Sequence, residues 1–109
     1  MDSPFISARD RRLWTTYGIR EHEYVSILEA QGGVCFITGK PKVNLALNVD
    51  HAHVRGYAKM PPEEKRMYVR GILHHQANRG LGYFRDNPDW LRRAAIYLED
   101  WPASQVLKP

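Results

Sequence analysis

The apolar positions change period several times along the chain, and each change predicts an element. In residues 7 to 16, Leu13 and Trp14, with Tyr17 just beyond, give one apolar side to an otherwise basic segment. The segment predicts a short helix, with Ser7 as N-cap and Gly18 as terminator. In residues 20 to 30, Tyr24, Ile27 and Leu28 stand at i, i+3 and i+4, before Gly32-Gly33. This is the clearest helical spacing, and it predicts a core scaffold with His22 on the polar side. Two short apolar runs follow: Val34-Cys35-Phe36-Ile37, ahead of a turn at Thr38-Gly39-Lys40-Pro41, and Leu45 to Val49. They predict two short strands, the second ending at Asp50-His51. Residues 54–68 break the rhythm. Pro61-Pro62-Glu63-Glu64 predicts one or two helical turns within a long connection, held down by Tyr57, Met60, Met67 and Tyr68.

Val69-Arg70-Gly71-Ile72-Leu73 predicts a further strand, and a helix from near Ala77 into Phe84 follows it, weakened by Gly80 and Gly82. Asn87-Pro88-Asp89 is a strong helix start. The stripe after it, Trp90, Leu91, Ala94, Ala95, Tyr97 and Leu98, has helical spacing and predicts a core face that ends at Trp101-Pro102. The result is one α+β domain over residues 1–109. It comprises N-terminal helices over 1–33, a core over 34–86 with an insert at 54–68, a C-terminal helix over 87–101 and a tail over 102–109.

Composition narrows the class. The chain has 109 residues, one cysteine and a net charge of +4. A single cysteine excludes an internal disulfide framework. No apolar run approaches the length that spans a bilayer, and charged residues interrupt the start of the chain where a signal peptide would be apolar. Both point to a cytoplasmic protein. The basic residues gather at Arg9, Arg11 and Arg12, at Lys65 and Arg66, at Arg70 and Arg79, and at Arg92 and Arg93. This distribution suits a polyanion partner, although a mildly basic soluble protein is a common alternative. The helix over 7–16 reads either as a solvated basic face over a core contact or as a helix lying on DNA.

The chemistry concentrates at Asp50-His51-Ala52-His53, the end of a predicted strand. A carboxylate there can hold a divalent cation, and a neutral imidazole beside it can take a proton from water. Alone, this tetrapeptide is equally compatible with a solvated turn carrying incidental histidines. Asn78, at the start of the helix after the next strand, adds a second oxygen donor. Strand, Asp-His, connection, strand and helix with asparagine is the order of a ββα-metal nuclease site. Two oxygen ligands leave a magnesium ion most of its waters, as it prefers.

At these residues the chain resembles the recombination endonuclease VII-like branch of the HNH (His-Me finger) nucleases, a group widespread in phages. The matching stretches are Tyr17-Gly18-Ile19, Glu23-Tyr24, Leu28 to Cys35, Val49 to His53, Val69 to Leu73, Asn78 to Gly82 and Leu91 to Glu99. The resemblance implies a ββα-metal core with flanking helices, and a phage-encoded, Mg²⁺- or Mn²⁺-dependent DNA endonuclease in the host cytoplasm. It implies Asp50 and Asn78 as metal ligands and His51 as general base, with His53 near the phosphate or the metal's waters. Arg11, Arg12, Arg55, Lys65, Arg66, Arg70 and Arg79 are the expected DNA contacts. A monomer would nick and a homodimer could cut both strands.

The chain departs from that family in two places. Members carry two Cys-x-x-Cys pairs around a structural zinc. Here the corresponding stretches read Cys35-Phe36-Ile37-Thr38 and His74-His75-Gln76-Ala77. Structural zinc needs a closed set of four ligands, so no structural zinc is expected. Apolar packing and a new polar contact, such as His74 to Thr38 or Cys35, would have to replace it. The connection over 54–68 is also longer than the family's usual few residues. Two alternatives remain. One is a catalytically inactive HNH-like module binding nucleic acid or protein. The other is a transition-metal site of Cys35, His51, His53 and His74, whose spacing fits no zinc pattern.

Overall fold

The computed structural model describes residues 4–107, which form a mixed α+β structure of five helices and one two-stranded sheet. Helices α1 (Ala8–Tyr17) and α2 (Glu21–Ala30) come first, then β1 (Asn48–His51), α3 (Pro62–Lys65), β2 (Val69–Leu73), α4 (His75–Tyr83) and α5 (Pro88–Glu99). The chain divides between Asn78 and Arg79 into two compact units. The buried apolar residues among those described are Leu13, Ile19, Tyr24, Cys35, Leu47, Val49, Ile72 and Leu73, all in the first unit. No helix is long and apolar enough to cross a membrane among the described residues.

Local chemistry sets the N-terminal pair. Ser7 caps α1 by accepting the Asp10 N–H at 2.9 Å, and Gly18 ends it in the left-handed conformation at φ 75°. Asp10, only 1% exposed, joins the two helices. Its carboxylate accepts the Arg20 guanidinium at 2.6–3.0 Å and the first N–H of α2, from Glu21, at 2.7 Å. A carboxylate at a helix N-terminus also meets the positive end of the helix dipole. Arg20, with these N–H donors, holds the Asp10 carboxyl far below the ordinary range despite its burial.

The sheet is antiparallel, with Val49 opposite Ile72, and both faces are buried at its inner end, where Ile72 and Leu73 are adjacent. Tyr24 of α2 locks the approach to β1 by donating its hydroxyl to the Leu47 carbonyl at 2.6 Å. Gln31, just past α2, does for β2 what a third strand would. Its amide oxygen accepts the Ile72 N–H at 2.8 Å, and its amide nitrogen donates to the Ile72 carbonyl at 2.8 Å and to the Val34 carbonyl at 2.9 Å.

Two sequence expectations need correction. Val34 to Ile37 is a turn and not a strand, in which Cys35 N–H donates to the Lys40 carbonyl and Gly39 N–H to the Cys35 carbonyl, both at 2.9 Å. The buried thiol at its centre accepts the Thr38 N–H at 3.4 Å, and the Thr38 hydroxyl and the His74 and Ile37 N–H groups also favour its charged form. Burial alone would raise that thiol, but these donors outweigh it and leave it below its ordinary value. The apolar run therefore serves one buried sulfur, and Phe36 and Ile37 face outward. The link to His74 uses its backbone.

The second correction concerns the C-terminal unit. Helix α5 begins as expected, with the Asn87 side chain accepting Asp89 and Trp90 N–H groups at 3.0 and 3.1 Å. Its apolar stripe is not a core, since no residue of α5 is buried and Trp90 and Tyr97 are 48% and 60% exposed. Helical spacing reports that one face is apolar, not that anything covers it. Helix α4 starts at His75, two residues earlier than expected.

Candidate functional site

Asp50 and His51 end β1, but the strand begins only at Asn48, so the expected strand from Leu45 is shorter than its apolar run and Leu45 lies exposed outside it. A bulge separates their neighbours on β2: Asp50 pairs with Gly71 and His51 with Val69, leaving Arg70 as the extra residue. In regular pairing Arg70 would stand opposite His51, on the other face from Asp50. The bulge re-aims it. Its Nε and Nη2 donate to the two Asp50 oxygens at 2.8 and 2.9 Å. Asp50 is only 4% exposed, so a charged carboxylate there needs such a partner.

The His51 ring is fixed in two directions. Its Nδ1 lies 3.0 Å from the Ala52 carbonyl oxygen. A carbonyl only accepts, so Nδ1 carries the proton and the neutral ring keeps its lone pair on Nε2. The ring face stacks on Tyr57, with centroids 4.0 Å apart and planes within 5°. His53 meets its edge at 5.2 Å, and Tyr17 lies tilted at 6.0 Å.

Tyr57 comes from the 54–68 connection, which is docked on the end of α1. Its hydroxyl donates to the Thr16 carbonyl at 2.7 Å, and Lys65 donates to the Thr15 carbonyl at 3.0 Å. Lys65 also lies 5.4 Å from the centre of the Tyr57 ring. Arg66 donates to the Gly18 carbonyl at 3.2 Å and pairs with Glu23. The last turn of α1 has no basic residue of its own. The connection supplies one, satisfying carbonyls that a helix end leaves open. Burial raises the Tyr57 hydroxyl above its ordinary value, with Tyr17 adding to the effect, which keeps it a donor.

The residues expected at the site are thus distributed as follows. Asp50, His51 and His53 cluster at the strand end, and Arg70 joins them through Asp50. Asn78 lies half-buried in the first turn of α4, its N–H donating to the His74 carbonyl at 3.0 Å, and it takes no part in the Asp50–Arg70 contact. Lys65 is 9% exposed and turned inward, and Arg66 bonds to α1 and α2. Arg11, Arg12, Arg55 and Arg79 are exposed. Arg12 also lines a cleft of about 310 Å³ between α1 and the approach to β1, with Arg9, Tyr17 and Asn48. Among the described residues no group of three or more His, Cys, Asp and Glu side chains is placed to hold a metal. Sequence reasoning named Tyr57 only as an anchor of the connection and missed its ring on His51. The unusual length of that connection was the available signal.

A two-stranded sheet ending in Asp-His, with a helix directly after its second strand, defines a small α+β fold. The sequence matches the model of the recombination endonuclease VII family over residues 10–100, and the chain belongs to that family. It is 40% identical over 103 residues to the Gene 59 protein of Mycobacterium phage D29 and 39% identical over 103 residues to that of Mycobacterium phage L5. Each alignment covers 90% of this chain and 54% of the relative, so the chain spans about half the length of the curated relatives it matches. No solved structure matches it.

Proposed function

We propose that the chain is a phage-encoded, metal-dependent DNA endonuclease with a ββα-metal site of the HNH type. The observation that carries this reading is His51, whose Nδ1–H is tied to the Ala52 carbonyl so that Nε2 is free to accept a proton. His51 takes the proton of the attacking water, and its ring geometry fixes where that water must stand. His53, exposed beside it, contacts the phosphate. Asp50 and Asn78 would hold Mg²⁺ or Mn²⁺. The donor chemistry fits, because a carboxylate and an amide oxygen are hard donors and sparse oxygen ligands suit a magnesium ion that keeps its waters. Asp50 would have to release at least one of its two contacts with Arg70 to take it. Such an ion supplies charge stabilisation at the phosphate and the leaving oxygen. Arg70 orients the buried carboxylate. Arg11, Arg12, Arg55 and Arg79 meet the DNA backbone from the exposed surface.

One observation favours a second reading. Both Asp50 oxygens are taken internally, which suits a catalytically inactive module that binds DNA through its basic surface. Incubating supercoiled plasmid with the protein and Mg²⁺ or Mn²⁺ separates the two. The nuclease reading expects nicking that EDTA, Asp50→Ala and His51→Ala each abolish, with DNA binding kept in His51→Ala. The ratio of open-circular to linear product reports monomer or homodimer action. A gel shift that weakens steeply with salt, without cutting in either ion, would establish the inactive module instead.

A further inference from the structure

We propose that the 54–68 connection is a brace for the general base, and that Tyr57 is the positioning residue through which it acts. The proposal rests on the nuclease reading of His51. Two constraints are needed to fix an imidazole at the end of a strand. The Nδ1 contact with Ala52 limits the ring's rotation but leaves both faces open to tilt. The Tyr57 ring closes one face in a near-parallel stack. A tyrosine on a free loop would not hold position, but this one is anchored at its far end. Its hydroxyl is bonded to Thr16, and Lys65 sits close to its ring while itself bonded to Thr15. The His51 ring is thereby referenced to α1, an element distant from it in sequence. The insert brings no new acid, base or ligand to His51, and its contribution is rigidity where Nε2 must point. A misplacement of about 1 Å at a reacting group can lower a rate by about 100-fold.

The test uses Tyr57→Leu, Tyr57→Met and Tyr57→Phe in the full chain, with two readouts. The first is plasmid nicking. The leucine and methionine variants are expected to lose about 10- to 100-fold in kcat with the KM for DNA little changed. Tyr57→Phe, which keeps the ring but loses the hydroxyl bond to Thr16, should fall between those variants and the wild type. The second is the NMR spectrum of the protein without metal or DNA. The wild type should show contacts between the Tyr57 and His51 ring protons, with His51 signals shifted upfield by the stacked ring. That shift should disappear in the leucine and methionine variants and weaken in Tyr57→Phe, whose ring has lost its bond to Thr16. Methionine keeps the bulk without a flat face and serves if the leucine variant does not fold. Wild-type kcat in the methionine or leucine variant overturns the proposal, as does absence of the ring contact in the wild type. If the wild type does not cut DNA at all, it is the nuclease reading that fails, and the spectrum still decides whether the brace exists.

Discussion

Gly18→Ala puts a methyl group into the joint between α1 and α3. Gly18 is the left-handed cap of α1, and a Cβ built on it would lie 1.9 Å from the Pro62 carbonyl oxygen and 2.8 Å from the Arg66 nitrogen. Carbon-to-oxygen contacts normally settle near ~3.3–3.6 Å, so α3 must retreat by more than an ångström. The left-handed backbone alone costs alanine about 1–2 kcal/mol. The retreat also pulls Lys65 from Thr15 or Arg66 from Gly18, and one lost charged hydrogen bond adds about 1.5–3 kcal/mol. The total is then about 2.5–5 kcal/mol. Gly32→Ala is the matched control, because Gly32 has φ +76° but no atom within 4 Å of its Cβ position. It incurs the backbone strain alone. Thermal unfolding followed by circular dichroism should place Gly18→Ala at least ~6 °C below Gly32→Ala. Nicking should also fall more in Gly18→Ala, because Tyr57 moves with the connection. Two variants melting within about 2 °C of each other would refute the claim that the joint is tightly packed.

Two further predictions concern the polar joints. Gln31→Leu removes the amide that serves both backbone groups of Ile72 and should destabilise the fold by about 1–3 kcal/mol in urea unfolding; an unchanged midpoint would mean water replaces the amide at no cost. Asp10 has its carboxyl depressed in the folded state, so its stabilisation is present above the unfolded carboxylate value near ~3.9 and is lost as pH falls toward the lower folded value. Asp10→Asn should therefore lower the melting temperature at pH 7 and leave less further loss between pH 5 and pH 2 than the wild type shows. An equal acid-induced drop in both proteins would count against this linkage.

The elements that local chemistry specifies were legible in the sequence. The Ser7 cap, the Gly18 stop, the Asn87-Pro88 start and the strand over Val69–Leu73 all stand where residue type places them. So does the end of β1 at His51, which put Asp50 and His51 side by side before any geometry was known. What escaped depends on partners distant in the chain. Val34 to Ile37 has the composition of a strand, but it turns around the Cys35 sulfur, with the Cys35 N–H bonded to Lys40 and only the Phe36 N–H reaching β2. The α5 stripe was read as core because spacing cannot say what lies opposite. Gln31 looked like a helix-end residue, and only the fold shows it bonded to both backbone groups of Ile72. Arg70 could be placed beside Asp50 only through the bulge, since alternation along a regular strand sends its side chain to the other face.

The brace also bears on the order in which the molecule folds. Residues 52–68 separate the two strands, too many for the tight turn that lets a hairpin form by itself. Closing such a loop costs only slowly more as it lengthens, about 0.6 kcal/mol for each doubling, so length alone does not forbid pairing. What the loop lacks is a local turn to start the zipper. Its turns are instead seated on the carbonyls of α1, and strand pairing gains from a helix that has already formed. The Asp50-His51 end of the sheet is then completed together with the whole first unit. A folding intermediate with α1 detached would hold Asp50 and His51 in sequence without the ring packing that orients His51.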